Sequence, residues 1–378
     1  MSWDTTELPF DELRLRRSEK WRRYPPDVLP AWVAETDFRP APAVRDALAA
    51  AVELGDTGYP HSAELPAVFA RFAAERLHWK VDPERVAVVA DVMTGVLELI
   101  KATTDPGDGV VLSPPVYPPF FSVTRESGRT VVEAPLDAAR RLDLDALEQA
   151  FAGGARACLL CNPHNPTGTV FTANELEALA ALAARYDVLV VSDEVHAPMT
   201  MPGERHVPFL ALGAPATEVG LAITSASKTW NLPGLKCALV VAGSERMAGE
   251  LAKLPEHLQF HTGHFGVLGA LAAFGDGRAW LDGLIERLDA NRRLLADLLA
   301  ERLPAIGYHP PAAGYLAWLD CRELGLGDDP AEVFLERGRV ALTSGLPFGE
   351  QGKGFARLNF ATSPALLDEI VRRMAASL

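Results

Sequence analysis

Three strand-like runs of this sequence each end in polar residues of the kinds that carry out chemistry. The run ACLLC leads into NPHNPTG at 162–168, VLVV leads into SDEVH at 192–196, and GLAIT leads into SASKTWN at 225–231. In open α/β sheets ligands bind beyond the carboxyl ends of the strands, so the three clusters are expected to meet at one edge of a sheet. Together they offer a lysine, carboxylates, amides, histidine and hydroxyls.

This set suits pyridoxal 5′-phosphate (PLP), which needs a lysine amine for an imine and an acid beside its ring nitrogen. Lys228 is the candidate amine and Asp193 is the candidate acid. Asn165 and His196 could bond to the phenolic oxygen of the ring. Tyr117, in SPPVYPPFF after another strand, could stack on the face of the ring.

The phosphate of such a cofactor needs hydroxyl or backbone N–H donors, and Ser225 and Ser227 flank the lysine. Each residue alone also has an ordinary structural explanation. An aspartate after a strand is more often a turn or cap residue, NPHNPTG favours turns without any ligand, and a lone lysine is normally solvated. The histidine and the tyrosine could be packing residues. Their joint occurrence at successive strand ends favours the cofactor site.

The strands that end in these clusters belong to an alternating series. Short runs rich in β-branched residues begin at Arg85, Val110, Thr130, Ala157, Val188 and Gly220. Helical patterns separate several of them, and the clearest follows a predicted capping box of Thr172 and Glu175. The alternation predicts an α/β fold in which helices cover both faces of a mostly parallel sheet, as a three-layer αβα domain.

The pattern changes after about residue 275. A long helical pattern runs from Arg278 towards Leu303, strand-like runs begin at Tyr315 and Ala356, and a final helix is predicted to open at Ser363. We therefore predict a large PLP-binding domain at 46–277 and a smaller α+β domain at 278–378. The N-terminal segment, 1–45, is predicted to join the small domain.

The net charge of −14 over 378 residues argues against nucleic acid or an anionic membrane as a partner, because both would be repelled. No segment approaches about twenty uninterrupted apolar residues, and the charged N-terminus lacks the apolar centre of a secretion signal. Together with the expected reduced cysteines, these features predict a cytoplasmic protein. The candidate PLP site makes a small amino acid the expected substrate.

Cys158 and Cys161 form a C-x-x-C motif within the apolar run ACLLC. Side chains three residues apart on a strand point to opposite faces, so this pair is not expected to share a metal ion. Reduced cysteines are expected.

The combination of motifs resembles the fold-type-I PLP enzymes of the class I/II aminotransferase superfamily along essentially the whole chain. The N-P-x-N-P-T-G loop, the S-D-E-x-H stretch and the S-x-S-K segment carry the resemblance. The segments NPHNPTG, SDEVHAP and SASKTWNLPGLK, with WVAETDF near the N-terminus, look most like the cystathionine β-lyase (MalY/PatB-type C–S lyase) branch.

The resemblance implies a role for individual positions. Lys228 would carry the cofactor, Asp193 would pair with the pyridine nitrogen, and Asn165 would bond to the phenolic oxygen. His196 would lie beside that oxygen, where many members of the superfamily have a tyrosine. Tyr59, in DTGYPH, matches a tyrosine that reaches the phosphate of a neighbouring subunit's cofactor. A homodimer with shared active sites is therefore implied.

Three residues are expected on the substrate side. Arg357, in ARLNF, matches the arginine that clamps the substrate α-carboxylate, a task suited to its bidentate fork. From residue type alone, a surface ion pair is the alternative for this arginine. Tyr59 and Trp32 are also expected there, although an aromatic residue before a loop is equally often part of the core.

Two positions depart from the commoner superfamily pattern. The phosphate turn is usually small and hydroxylic, but here it reads ADVMT at 90–94. Backbone amides of Val92 and Met93 would have to bind the phosphate at a helix N-terminus, and Asp91 would have to point away, for example by capping that helix. Lys236 stands where many members place a phosphate-binding arginine, so the charge is kept and the fork is lost.

The resemblance implies a carbon–sulfur β-lyase that converts L-cystathionine or a related S-substituted cysteine to a thiol, pyruvate and ammonia. The same residues would serve an aminotransferase, which transfers the amino group to a 2-oxo acid. A third alternative is a binding or regulatory protein without turnover. The presence of the full set Lys228, Asp193, Asn165 and Arg357 argues against that third alternative.

Overall fold

The computed structural model describes residues 8–378, apart from the side chains of Glu256, His257 and Gln259. The strands are β1 (Leu29–Pro30), β2 (Val86–Val89), β3 (Gly109–Leu112), β4 (Thr130–Glu133), β5 (Ala157–Cys161), β6 (Leu189–Asp193), β7 (Gly220–Thr224), β8 (Ala238–Ala242), β9 (Gly307–Tyr308), β10 (Leu316–Asp320), β11 (Val340–Ala341), β12 (Thr343–Ser344) and β13 (Phe355–Asn359). The helices are α1 (Phe10–Leu13), α2 (Glu19–Arg22), α3 (Pro42–Leu54), α4 (Leu65–Arg76), α5 (Val92–Thr103), α6 (Pro119–Glu126), α7 (Leu144–Ala152), α8 (Ala173–Tyr186), α9 (Ala216–Val219), α10 (Glu245–Leu251), α11 (His264–Gly275), α12 (Arg278–Arg302), α13 (Pro330–Glu336) and α14 (Pro364–Ala376).

The largest sheet has the strand order β2-β8-β7-β6-β5-β3-β4. Neighbouring strands from β4 to β7 run parallel, whereas β8 is antiparallel to both β7 and β2. Every strand-like run predicted before residue 225 belongs to this sheet, and the predicted α/β fold with a mostly parallel sheet is confirmed. Strand β8 was not predicted. It follows β7 through a loop with only one 3₁₀ turn, and without a crossover helix the chain returns antiparallel.

The two faces of this sheet are buried against different helices. Along β5, the side chains of Cys158 and Leu160 join one apolar cluster, whereas those of Leu159 and Cys161 join another. Helix α8 packs in the first cluster, and helices α5 and α6 pack in the second. The two cysteines therefore point to opposite faces, as predicted from the two-residue period of a strand.

Helix α8 connects the two strands whose ends carry the NPHNPTG and SDEVH clusters. Its first turn has the predicted capping box, in which the Glu175 N–H donates to Thr172 Oγ1 and the Thr172 N–H donates to the Glu175 carboxylate. This exchange satisfies two N–H groups that have no partner inside the helix. The helix start is thereby defined close to the site.

A second, antiparallel sheet has the order β12-β13-β10-β9 and follows the long helix α12, which packs against α14. Strand β1 of the N-terminal segment pairs in parallel with β11. The domain boundaries after residues 45 and 277 remain predictions, and residues 1–7 of the N-terminal segment lie outside the described residues. No helix in the described part of the chain is long and apolar enough to cross a membrane.

Candidate active site

The ends of β5, β6 and β7 converge on one cavity of about 260 Å³. All the predicted site residues line this cavity except Tyr59 and Trp32. The predicted residues that line it are Asn165, Asp193, His196, Ser225, Ser227, Lys228, Lys236, Tyr117, Val92, Met93 and Arg357. The convergence follows from the parallel arrangement of β5, β6 and β7, which places their carboxyl ends at the same edge.

Asp193 is the last residue of β6 and its side chain is almost completely buried. Its Oδ1 accepts a hydrogen bond of 3.1 Å from the Val195 N–H. Burial raises the pKa of Asp193 to about 7, although that N–H and the charge of Lys228 oppose the rise. This carboxylate has no ion pair within the described residues, so it can accept a cationic partner from a ligand.

The Lys228 amine lies in the same cavity, in the loop that follows β7. Its Nζ donates to the carbonyl oxygen of Ala34 over 3.4 Å. Burial and the neighbouring Arg357 lower the pKa of Lys228 to about 8, against the opposing charges of Asp193 and Glu35. A lysine in this state is a usable nucleophile and base near neutral pH.

Arg357 on β13 is buried, with a relative exposure of 6%, so the alternative of a surface ion pair is wrong. Its Nη1 donates to Asn165 Oδ1 over 3.0 Å, and its Nη2 donates to the Trp32 carbonyl and to Thr343 Oγ1, both at 3.2 Å. Its Nε is buried without a hydrogen-bond partner among the described residues. Burial lowers the pKa of Arg357 to about 10, and the guanidinium lies 5.2 Å from the ring centre of Phe348.

His196 and Tyr117 lie around the same cavity as neutral groups. Burial, reinforced by the charges of Lys228 and Arg357, lowers the pKa of His196 to about 3. The imidazole is therefore uncharged at neutral pH, and its Nδ1 has no hydrogen-bond partner among the described residues. Burial raises the pKa of Tyr117 to about 12, which keeps its hydroxyl protonated. Both rings can therefore contact a ligand without adding charge.

The N-terminus of α5 opens on the other end of the cavity. Asp91 is the N-cap of this helix, and its Oδ1 accepts the Thr94 N–H at 2.9 Å. This is the capping arrangement predicted for Asp91, and it leaves the N–H groups of Val92 and Met93 in the first turn, where anions bind. Lys236 is bonded to the other carboxylate oxygen of Asp91, Nζ to Oδ2, at 3.1 Å.

The two serines beside the lysine differ in what they can offer. The Ser225 hydroxyl donates to the Cys237 carbonyl over 2.6 Å and accepts the Ser227 N–H at 3.0 Å. Because its proton is already used, Ser225 holds the lysine loop in shape and is not a donor for a ligand in this arrangement. Ser227 also lines the cavity and stays the better candidate of the two.

A segment that we call the strap, residues 31–38, runs between the lysine loop and the small sheet. The main-chain carbonyls of residues 31–36 all accept hydrogen bonds from groups outside the strap. A buried ion pair of 2.8 Å between Lys20 and Asp37 anchors its far end. Among the donors to the carbonyls are Asn359, Arg357, Thr343, Lys228, Tyr315 and Asn231.

Comparison with known proteins identifies the family. The family model described as "Aminotransferase class I and II" matches residues 28–374. The chain belongs to this family. A Mycobacterium leprae relative that carries a provisional cystathionine beta-lyase name is 46% identical over 98% of this chain and 97% of its own length. The cystathionine beta-lyase of Corynebacterium glutamicum is 37% identical over 98% of this chain and 99% of its own length.

Solved structures of this family have the same fold. A Corynebacterium diphtheriae protein described provisionally as a PLP-dependent beta-cystathionase has a TM-score of 0.94 and 37% identity, with 98% of each chain covered. Cystalysin from Treponema denticola, solved with a pyridoxal 5′-phosphate cofactor, has a TM-score of 0.90 and 25% identity over 100% of this chain and 99% of its own. The prediction of a fold-type-I architecture is therefore confirmed.

Two of the predicted site residues, Tyr59 and Trp32, do not line the cavity. Tyr59 lies between α3 and α4 with 86% of its surface exposed, so it does not reach the cavity of its own protomer. Trp32 contributes its main-chain carbonyl, which accepts from Arg357, while its ring packs edge-on against Tyr24 at 5.8 Å. The indole of Trp32 does not line the cavity.

Sequence reasoning singled out WVAETDF, Lys228 and Arg357, but it missed the role of the strap carbonyls and their other partners, such as Asn359 and Tyr315. Ala34 acts through a carbonyl oxygen that any residue type could supply, so no side-chain signal marks it. Asn359 could have been found, because it lies two residues after Arg357 and must point to the same face of β13. Its Nδ2 donates to the carbonyls of Val33 and Glu35.

Proposed function

We propose that this protein is a PLP-dependent carbon–sulfur β-lyase that releases a thiol, pyruvate and ammonia from L-cystathionine or a related S-substituted cysteine. The observation that carries the proposal is one cavity that holds the half-buried Lys228, the buried Asp193, which has no ion pair among the described residues, and the buried Arg357. Support for the substrate class comes from the cystathionine beta-lyase named in Corynebacterium glutamicum, to which this chain is similar over its full length.

The residues of the cavity fit PLP. The buried Asp193 carboxylate has a raised pKa and no ion pair among the described residues, and a protonated ring nitrogen would supply the missing positive charge. Lys228 offers an amine whose lowered pKa favours attack on an aldehyde. The first turn of α5 offers N–H donors for the phosphate, and the side chain of Lys236 offers a positive charge.

When bound, PLP accepts the negative charge that develops when a bond to the substrate Cα breaks. Asp193 holds the proton on the ring nitrogen, which keeps the ring able to accept that charge. Arg357 binds the substrate α-carboxylate, and its Nε, which has no hydrogen-bond partner in the described part of the chain, is one donor for it. Asn165 and the neutral His196 are suited to bond to the phenolic oxygen, so the ring orientation is held.

Lys228 is the base. Its Nζ removes the proton from Cα and then holds it as an ammonium group. In the lyase reaction the bond between Cβ and sulfur breaks and the sulfur leaves with the electron pair, and water then converts the remaining three-carbon amine to pyruvate and ammonia. The proton held at Nζ is available to the departing thiolate, which needs one to leave as a thiol.

An aminotransferase is the second candidate, because the matched family model carries that name. The two reactions use the same residues and differ in where the proton held at Lys228 Nζ is delivered. Purified enzyme incubated with L-cystathionine and no 2-oxo acid separates them. We expect pyruvate and free thiol to form over many turnovers; a single stoichiometric half-reaction would instead identify an aminotransferase.

A homodimer with shared active sites forms part of the proposal. Tyr59 is exposed in one protomer and is suited to reach the phosphate site of a second copy. We expect Lys228→Ala and Tyr59→Ala proteins to be impaired separately and to regain activity when their subunits are mixed and reassociated. In the mixed dimer one site combines an intact Lys228 with a partner's intact Tyr59. Absence of any regained activity in a verified mixed dimer would contradict the shared site.

A further inference from the structure

Ala34 lines the cavity, and its carbonyl oxygen lies beside two donors. The Lys228 amine donates to it over 3.4 Å, and the hydroxyl of Tyr315 donates to it over 3.1 Å, with the main-chain carbonyl of Lys228 as a longer second acceptor at 3.4 Å. Tyr315 is completely buried immediately before β10, about 280 residues further along the chain. A carbonyl oxygen has two lone pairs, so it can accept both donors at once.

The local backbone explains why this carbonyl faces the lysine. The Glu35 N–H donates to the Val33 carbonyl over 2.9 Å, which makes a tight turn centred on Ala34. The N–H and C=O of one trans peptide plane point in opposite directions, so this turn directs the Ala34 oxygen away from the strap. Asn359 holds the carbonyls on either side, at 2.7 and 2.6 Å. Besides the lysine itself, Tyr315 is the tether of the Ala34 oxygen within the described residues.

We infer that Tyr315 is a positioning residue whose hydroxyl holds the Ala34 carbonyl as the acceptor for the Lys228 ammonium group. The inference rests on the proposed function, in which Lys228 removes a proton from the substrate and then carries it. The proton moves from Cα to Nζ, and the Ala34 oxygen gains a hydrogen bond without any change in its covalent bonds.

An ammonium group at this position needs an acceptor because its surroundings disfavour the charge. Burial, Arg357 and Lys236 lower the pKa of Lys228 to about 8, while Asp193 and Glu35 act in the opposite direction. A hydrogen bond to the charged form of the amine stabilises that form and raises its pKa. Burial also raises the pKa of the Tyr315 hydroxyl, so it stays a donor throughout the working range.

Tyr308 provides a matched control. It lies on β9, the neighbour of β10, and its hydroxyl donates to a main-chain carbonyl, that of Arg292, over 3.3 Å. Tyr315→Phe and Tyr308→Phe therefore each remove a buried or half-buried hydroxyl that donates to a main-chain carbonyl. Only Tyr315→Phe removes a hydroxyl that bonds to the acceptor of the Lys228 amine.

The rate at which cofactor-free protein recombines with PLP, measured against pH, reports the free-base fraction of Lys228. In Tyr315→Phe the Ala34 carbonyl is no longer held in place as the acceptor for the ammonium form of Lys228. We therefore expect the pKa of Lys228, and with it the pH midpoint of recombination, to fall by about half a unit. We expect kcat to fall about tenfold with KM unchanged, because the ammonium is formed during turnover while Arg357 is untouched. The deuterium isotope effect from the substrate Cα should rise as proton removal becomes slower.

Tyr308→Phe is expected to match the wild type in all three measurements. A general loosening of the site would slow recombination and turnover together, whereas the inference requires recombination below the midpoint to become faster while turnover slows. An unchanged or raised midpoint in Tyr315→Phe would overturn the inference. If the wild type recombines with PLP but releases no pyruvate, the proposed lyase function fails, whatever Tyr315→Phe does.

A rescue variant distinguishes the contribution of the Tyr315 hydroxyl from that of its ring. Para-aminophenylalanine at position 315 keeps a donor in place of the hydroxyl and should restore the wild-type midpoint and kcat. Para-fluorophenylalanine fills similar volume without a donor and should behave as Tyr315→Phe; this pair also gives the comparison if Tyr315→Phe does not fold. Equal behaviour of the two substituted rings would contradict the inference.

Discussion

Two pairs of one lysine and one aspartate line the cavity. Lys228 and Asp193 form what we call the floor, and the more exposed Lys236 and Asp91 form what we call the rim. At the rim, the Lys236 amine lies 3.1 Å from Asp91 Oδ2, and the two side chains are 56% and 31% exposed. At the floor, Asp193 is buried and Lys228 is half-buried, and no ion pair joins them within the described part of the chain. Burial brings the pKa values of the floor pair to about 8 and about 7. Environment, and not residue type, therefore decides which pair can exchange protons near neutral pH.

The rim pair behaves as an ordinary surface pair. Burial acts to raise the pKa of Asp91, but the Thr94 N–H and the Lys236 amine outweigh it and hold the pKa below its usual value. An exposed pair of this kind contributes about 0–1 kcal/mol to stability. Asp91 caps α5, and under the proposed function Lys236 supplies a positive charge near the phosphate.

The largest expected effect is at the floor. Under the proposed function, Lys228→Ala removes the amine that binds the cofactor and acts as the base, so we expect turnover to be lost and the yellow colour of bound PLP not to develop. Pyruvate release and the visible absorption spectrum measure the two effects. The matched rim variant, Lys236→Ala, should keep both when PLP is saturating. More than trace activity in Lys228→Ala would refute its role as the base.

Asp193→Asn tests the second floor residue. The amide keeps the size of the carboxylate but cannot hold a proton on the ring nitrogen, so we expect kcat to fall about a thousandfold. Asp91→Asn at the rim makes the same chemical change and should leave kcat within about threefold of wild type, because asparagine also caps helices. Similar losses in the two variants would break the contrast between floor and rim.

Asp193→Asn is expected to lower kcat but to raise the stability of the cofactor-free protein. The folded-state pKa of Asp193 is raised, so the native state binds more protons than the unfolded state, and its stability falls as the pH rises from about 4 to about 7. Asparagine does not titrate. We expect urea unfolding to show Asp193→Asn more stable than wild type near pH 8 by an amount on the order of a few kcal/mol, and no gain below about pH 4. A constant difference across this range would contradict the raised pKa.

The smallest effects are expected at the rim. Lys236→Met should weaken PLP binding about tenfold, as one charge on the phosphate is lost, with kcat unchanged when PLP is saturating. Asp91→Asn should tighten PLP binding about twofold, because it removes a negative charge near the phosphate while the cap is kept. Equilibrium titration with PLP measures both. A loss of kcat at saturating PLP in Lys236→Met would place this lysine in the chemistry.

Much of the site could be predicted because the signals are local. Runs of β-branched residues predicted the strands, and the rule that ligands bind beyond the strand ends placed Lys228, Asp193 and Asn165 together. Asp91 was expected to cap α5 because a free carboxylate would oppose a phosphate. Ser225 was assigned to the phosphate from sequence proximity, but its proton is used by the Cys237 carbonyl. Sequence neighbours cannot reveal that contact, because β8 and its antiparallel return were not predicted.

The sequence by itself determined the kinds of chemistry available, since strand periods, turn residues and caps depend on a few neighbouring side chains. The tertiary structure decided the charge states and the orientations. Burial by distant elements moves the pKa values of Lys228 and Asp193 towards neutrality, and this burial is a sum over the whole fold. The Ala34 carbonyl faces Lys228 because a strap turn, Asn359 and Tyr315 meet there, and a main-chain oxygen has no side-chain signature that a sequence could display.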